Sequence, residues 1–375
     1  MRTKSIVGAC IGLTVVVVLV ATLLYPAIDN YTHPSPPGWV YDDYVLASEG
    51  DTVTGSFELV EYDGVNYIHA KDVGSGTING EEYTVSKADL TVFLLWGQSN
   101  AMYLNADVDE VNAAFDPIKT RAYFYGIDTD SDYRPIISWK SGSTAVYPEH
   151  GSFLPVCSPD GKYLIGNVEA PFCAGYCENS ENYRPYIINA AVGGMNIQAF
   201  LPGTIYNTNT HNIWDEAISK IDSTKFNVHY AGWIMSQGEA NAGTSIPTYI
   251  EYFDTVVGDI ESSFDLDYGA IIQTRSGNSL NANEAQTEIV KTHRNIIMGS
   301  TASNGFTIEN GCLSSSDGIH YTQLGDNIVG YETAEAWLKF TEPASFNLNL
   351  LSAIIPIVLI ASVVSFAIIM LGKRD

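Results

Sequence analysis

Hydrophobic positions change their spacing along this chain, and the changes divide it. Residues 5–28 and 347–371 are long apolar runs without a charged residue, each about as long as the ~20 residues that cross a bilayer's hydrocarbon layer. A transmembrane helix is therefore expected at each end. Residues 29–43 carry three prolines and predict an extended spacer. Residues 44–90 alternate apolar and polar positions and are broken by Asp63-Gly64 and Asn79-Gly80, a pattern of short antiparallel strands with hairpin turns. From Thr91 the pattern changes to continuous apolar runs separated by helical periodicity. Thr91-Val-Phe-Leu-Leu-Trp96 stops at Gly97, as a buried parallel strand does where it meets a loop. Further strands are expected over 186–192, within 228–235 and over 268–272. Trp214, Ala217, Ile218 and Ile221 share one helical face, as do Tyr249, Phe253, Val256 and Ile260. A last helix follows His320, with Leu324, Ile328, Ala334 and Leu338 for its buried side. Strands alternating with helices predict an α/β domain over 91–342 with a parallel sheet. Within it, residues 118–185 are rich in Tyr, Gly, Pro, Ser and Asp and read as an inserted flap over the sheet edge.

Charge and cysteines refine this outline. Arg2 and Lys4 precede the first apolar run, and Lys373 and Arg374 follow the second. Basic flanks stay on the cytoplasmic side, so both termini are expected inside a cell membrane or viral envelope, with the domain outside and the bilayer as a partner. A cleaved signal peptide fits less well, because its apolar core is usually ~7–15 residues and ends in a small-x-small site, which Tyr25-Pro-Ala27 lacks. A formal net charge of −25 repels polyanions and excludes nucleic acid as a natural partner. Cys157, Cys173, Cys177 and Cys312 are even in number, which predicts two disulfides in an exterior compartment, with the pairing open. Zinc at Cys173 and Cys177 lacks a second close pair or a nearby histidine, so neither a metal nor another cofactor is expected.

The predicted strand ends carry the chemistry. Parallel strands deliver their carboxyl ends to one side of a sheet, where α/β folds bind ligands. Gly97-Gln-Ser-Asn100 places a hydroxyl there, and Ser99 is the candidate nucleophile. Gly193 and Gly194 follow the second strand and can present unobstructed backbone N–H groups. Gln237, or Asn241 four residues later, can add a side-chain amide after the third. Among seven histidines, His320 stands apart. Asp317 lies three residues before it in a turn-like stretch, near enough for its carboxylate to bond Nδ1 and leave Nε2 for the serine.

Gly97-Gln-Ser-Asn100, Val192-Gly-Gly194, Gln237-Gly-Glu239 and Asp317-Gly-Ile-His320, in that order, resemble the motif blocks of SGNH hydrolases. They are most similar to the sialate O-acetylesterase branch and carbohydrate esterase family 6. The resemblance covers roughly residues 90–340 and implies a flavodoxin-like three-layer α/β/α domain that removes O-acetyl groups from sugars. By the same resemblance Ser99 is the nucleophile, His320 the base and Asp317 its orienter. The Ser99 amide, a glycine amide at 193 or 194 and the Gln237 side chain form the oxyanion hole. Many SGNH enzymes supply an asparagine in the third block, which makes Asn241 the alternative to Gln237. Gln98, Asn100, Glu239 and Arg275 are the candidate substrate contacts. The expected protein is a membrane-anchored, exterior-facing esterase of acetylated glycans, and its rival is a surface glycan-binding module. The natural sugar and the oligomeric state stay open.

Overall fold

The computed structural model describes residues 39–62, 64–102, 106–115, 120–127, 151–158, 162–180 and 183–341. The chain divides into two compact units, residues 1–87 and 88–375.

The first unit is all β. Strands β1 (Tyr44–Leu46), β2 (Val53–Gly55), β3 (Phe57–Tyr62), β4 (Val65–Ala70), β5 (Gly74–Ile78) and β6 (Glu81–Val85) form two three-stranded antiparallel sheets, in the orders β1-β4-β3 and β2-β5-β6. Asn79 and Gly80 close the β5–β6 hairpin with φ of 53° and 82°, the doubly left-handed backbone that a two-residue turn needs. Phe57, Ile68, Ala70 and Val85 make a small core. On the other face of β4, His69 is clamped between Glu58 at 2.9 Å and Asp42 at 3.1 Å, and its ring stacks on Tyr44. Burial opposes the imidazolium, but the two carboxylates outweigh it and raise the His69 pKa. A raised folded-state pKa contributes stability that is complete below the unfolded value and disappears as pH rises through the folded one. Thermal stability of this unit is therefore expected to decline from mildly acid to alkaline pH. His69→Gln should flatten that decline, measured by calorimetry at pH 5.5 and pH 9.

The second unit holds a seven-stranded sheet. Its strands are β7 (Ala88–Gly97), β8 (Tyr123–Ile127), β9 (Gly151–Pro155), β10 (Tyr183–Asn189), β11 (Phe226–Ser236), β12 (Tyr268–Ile272) and β13 (Ile296–Ser300). Their order is β13-β12-β11-β7-β10-β8-β9, and every pairing is parallel except β8–β9. The helices are α1 (Val108–Ala114), α2 (Glu169–Asn179), α3 (Ile205–Ser219), α4 (Ile246–Phe264), α5 (Leu280–Thr292) and α6 (Gln323–Thr341). Thr204, Ser245 and Ser279 cap α3, α4 and α5 through their side-chain oxygens, satisfying amides at each helix start.

Successive residues of β7 face opposite ways, and both faces are covered. Phe93 packs edge-on against Phe172 of α2 and Trp337 of α6. Trp96 packs against Phe200 and Trp233, and Trp233 meets Phe253 of α4. The helical face expected on α4 is the buried one, since Tyr249, Phe253, Val256 and Ile260 are all core. On α6 the expected stripe holds in part: Ala334 and Leu338 are buried and Ile328 packs against the core. Leu324 is exposed, while Val329, Gly330, Thr333, Ala334, Trp337 and Leu338 are buried. Gly330 approaches the start of α2 so closely that a Cβ on it would lie 2.6 Å from the Val168 carbonyl oxygen, so a residue without a side chain marks this contact.

The segment 118–185, read from composition as an irregular flap, supplies β8, β9 and the buried helix α2. The two disulfides expected of it are corrected. Cys157, Cys173, Cys177 and Cys312 are free thiols. Cys173 and Cys177 sit one turn apart on α2, and the Cys177 thiol is directed to the Arg121 carbonyl oxygen at 3.6 Å. Burial raises the Cys157 and Cys173 thiol pKa and pushes that of Cys177 up to about 12, which leaves them protonated and inert. Among the described residues no cluster of side chains is suited to a metal ion.

The expected transmembrane helices are also corrected. Among the described residues no helix is long and apolar enough to cross a membrane. The two longest carry several charged residues, Glu251, Asp254, Asp259 and Glu261 on α4 and Asp326, Glu332, Glu335 and Lys339 on α6. The runs 5–28 and 347–371 and most of the spacer 29–43 lie outside the described residues. Membrane anchoring, the bilayer as partner and a topology with both termini inside are therefore not carried further.

Candidate active site

Strand β7 lies between β10 and β11, where the connections diverge to the two sides of the sheet, the position at which open α/β folds bind ligands beyond the carboxyl ends of the strands. Its last residue, Gly97, has φ of 137° and pairs with Ser236 so closely that a Cβ would collide with the Ser236 carbonyl oxygen. Gly97→Ala is thus expected to destabilise the protein by about 3 kcal/mol or more, combining a left-handed backbone penalty with backbone displacement. A denaturant midpoint within error of the parent would contradict this.

Beyond Gly97 the chain enters a 3₁₀ turn, Ser99–Ala101. The Gln98 N–H donates to the Ser236 carbonyl, the Val192 N–H donates to the Gly97 carbonyl, and the Asn189 amide donates to the Ala101 carbonyl at 2.7 Å. Neighbouring strand ends thereby clamp the turn from both sides. Asn189 is a functional support that the sequence reading missed. Its signal was a polar residue inside the apolar run that forms β10, and Glu169 of α2 holds the same amide at 2.6 Å.

Ser99 is 6% exposed, and its hydroxyl and N–H have no hydrogen-bond partner among the described residues. The N–H groups of Gly193 and Gly194, on the turn after β10, are likewise without described partners. Gly194 has φ of 75° and open space where a Cβ would be.

His320 and Asp317 form one local unit. One Asp317 oxygen accepts the N–H groups of Ile319 at 2.8 Å and His320 at 3.0 Å, which folds the turn. The other meets His320 Nδ1 at 2.8 Å. The His320 side chain and backbone N–H hold the Asp317 carboxyl far below the usual carboxylate range, and the carboxylate selects the tautomer with the proton on Nδ1. Nε2 is left as the basic nitrogen. No direct hydrogen bond joins His320 to Ser99 in this structure. Their loops are linked one residue further on, where the Tyr321 N–H donates to Asn100 Oδ1 at 3.1 Å.

The other expected site residues face inward. Gln237 is fully buried. Its Nε2 donates to Asn241 Oδ1 at 2.6 Å, and its Oε1 accepts from the Tyr249 hydroxyl at 2.8 Å. Asn241 Oδ1 also takes the Ile197 N–H, and its Nδ2 donates to Gln198 and Thr244. Gln98 Oε1 receives the Ala240 N–H at 3.1 Å. Glu239 Oε1 receives the Asn100 amide at 2.7 Å, and burial raises the Glu239 pKa despite that bond. Arg275 spends Nη1 on the Phe306 carbonyl and Nη2 on Asn278 and the Gly318 carbonyl, which ties the Asp317–His320 turn to the end of β12.

A mostly parallel α/β sheet with a serine, an imidazole and an ionised aspartate on loops at its carboxyl edge is an architecture for hydrolysis of carboxylic esters. The chain belongs to the carbohydrate esterase family described as sialic acid-specific acetylesterase, whose sequence profile matches residues 152–339, half of its length. The matched span includes Gly193, Gln237, Asp317 and His320 and begins after Ser99. The protein is accordingly a carboxylic-ester hydrolase of the carbohydrate esterase class. Among solved structures it is similar to a protein from Arabidopsis thaliana, with 15% identity, 66% of this chain and 98% of that one covered, and a TM-score of 0.44. It is also similar to a carbohydrate acetylesterase from Xanthomonas citri, with 17% identity, 80% and 72% covered, and a TM-score of 0.44. No curated protein sequence matches it significantly.

Proposed function

We propose that this protein removes O-acetyl groups from carbohydrate by a serine mechanism of the sialate O-acetylesterase type. The observation that carries the reading is the 2.8 Å contact of Asp317 with His320 Nδ1, on a loop joined to the residue after Ser99. In the first step Ser99 Oγ bonds to the acetyl carbonyl carbon as its proton passes to His320 Nε2. The developing oxyanion is met by N–H groups of Ser99 and of Gly193 or Gly194, the unpartnered donors nearest the strand ends. Collapse breaks the bond to the sugar oxygen, which leaves with the proton from His320. Water then gives a proton to His320 and its oxygen to the acetyl group, releasing acetate and restoring Ser99. Asp317 stays ionised throughout and stabilises the imidazolium. The inward-turned amides of Gln237 and Asn241 support a part in holding the glycine and Gln-Gly-Glu loops rather than in donating to the oxyanion.

The test is acetate release from a panel of O-acetylated sugars, acetylated sialic acids included, together with labelling by a serine-directed fluorophosphonate. Release and labelling that both depend on Ser99 support the reading. A folded protein that binds acetylated glycan but releases no acetate and takes no label would overturn it in favour of a binding module.

A further inference from the structure

The Ser99 hydroxyl and the His320 imidazole sit on loops far apart in sequence, and catalysis of the proposed kind requires their spacing to be held within a fraction of an ångström. We propose that Asn100 is the positioning residue that sets this spacing, with Glu239 locking its side chain in the one orientation that works. The proposal rests on the esterase reading above and adds a function for two residues first taken as substrate contacts.

Three observations carry it. Asn100 is the residue after Ser99, and its Oδ1 accepts the N–H of Tyr321, the residue after His320, so one hydrogen bond joins the two reacting loops directly. Asn100 is 4% exposed, and both of its functional atoms are engaged within the protein, which leaves it no face for substrate. The amide orientation follows from the chemistry of its two partners. A backbone N–H only donates, so the Asn100 atom facing Tyr321 must be oxygen, and the NH₂ group must then face Glu239 Oε1, which accepts it at 2.7 Å. Glu239 is itself seated on the Gln237-Gly-Glu239 loop, whose neighbouring N–H at Ala240 bonds to Gln98. The residues on either side of Ser99 therefore both grip that loop. Glu239 Oε2 is buried and the Thr274 side chain interacts with the same carboxylate, so an amide in place of the carboxylate can keep the bond to Asn100 and give its own NH₂ the Thr274 hydroxyl oxygen as acceptor.

The experiment compares Asn100→Ala, Glu239→Ala and Glu239→Gln with the parent. Asn100→Ala and Glu239→Ala are expected to lower kcat by roughly 10–100-fold, the cost of misplacing a reacting group by about 1 Å. KM for an acetylated sugar should change less than about threefold, since neither side chain meets substrate. Glu239→Gln should recover most of the loss, because it retains the acceptor. Hydrogen exchange provides a readout independent of activity: the Tyr321 amide should lose protection in Asn100→Ala while the amides of β7 keep theirs. Parent-like kcat in Asn100→Ala, or Glu239→Gln falling as far as Glu239→Ala, overturns the proposal, the second result by showing that Glu239 acts through its charge. An inactive parent overturns the esterase reading instead, and Tyr321 exchange then decides the bracket alone. Unchanged protection in Asn100→Ala would refute it.

Discussion

Replacing Ser99 by alanine is expected to lower the rate of acetyl-ester hydrolysis by about 10⁴–10⁶-fold, and His320→Ala should lower it comparably, because in the proposed mechanism they act as one unit, nucleophile and base. The double variant should be little worse than either single one, since removing one member already abolishes the covalent route. The residual rate would come from binding and from the backbone N–H donors alone. Ser99→Ala leaves the fold intact, as the hydroxyl has no described hydrogen-bond partner to strip. The measurement is initial-rate acetate release with the variants purified free of host esterase, alongside circular dichroism. Hydrolysis by Ser99→Ala at the parent's rate would exclude the serine mechanism.

Asp317→Asn is expected to reduce kcat by about 10³–10⁴-fold with almost no loss of stability. The reason lies in the two oxygens of Asp317. One is committed to the N–H groups of Ile319 and His320, and an asparagine oxygen can take that place and preserve the turn. Its NH₂ group would then face His320 Nδ1, which must become the acceptor, moving the ring proton to Nε2 and depriving Ser99 of a base. The pH dependence separates the two groups. Interaction with His320 keeps the Asp317 carboxyl far below the ordinary range, so its charge, and the stability linked to it, is present above the unfolded-state value near 3.9 and is lost only as pH falls well below that. Activity should therefore show no acid limb from Asp317 in weakly acid solution. Two acid limbs in the parent's kcat/KM profile would contradict the assignment.

Much of the candidate site was legible in the residues because its parts are local. An apolar run ending in Gly97-Gln-Ser-Asn100 identifies a strand end, and the three-residue spacing of Asp317 and His320 brings carboxylate to imidazole within one turn. The central strands β7, β11 and β12 follow from hydrophobic runs whose burial needs no knowledge of their neighbours. Composition misled where burial is shared: the tyrosine- and glycine-rich segment hides β8 and β9 at one side of the sheet. Cysteine number and terminal hydropathy likewise implied disulfides and membrane spans that the described structure does not bear out: the four thiols are free, and no described helix is long and apolar enough to cross a membrane.

The sequence by itself determined the order of the central strands β7, β10, β11 and β12 and of helices α3, α4 and α6, the serine at the end of β7 and the three-residue spacing of Asp317 and His320, all properties of period or of contacts a few residues apart. Only the tertiary structure decided which way the polar side chains at the strand ends turn. Asn100 meets Glu239 and Tyr321 across 139 and 221 residues of chain, Gln237 turns to Asn241 and Tyr249, and Arg275 to the turn that carries His320. Every such amide or guanidinium has more than one group it can bond, and packing of distant segments selects the partner, since a buried donor left unmatched costs about 1–3 kcal/mol.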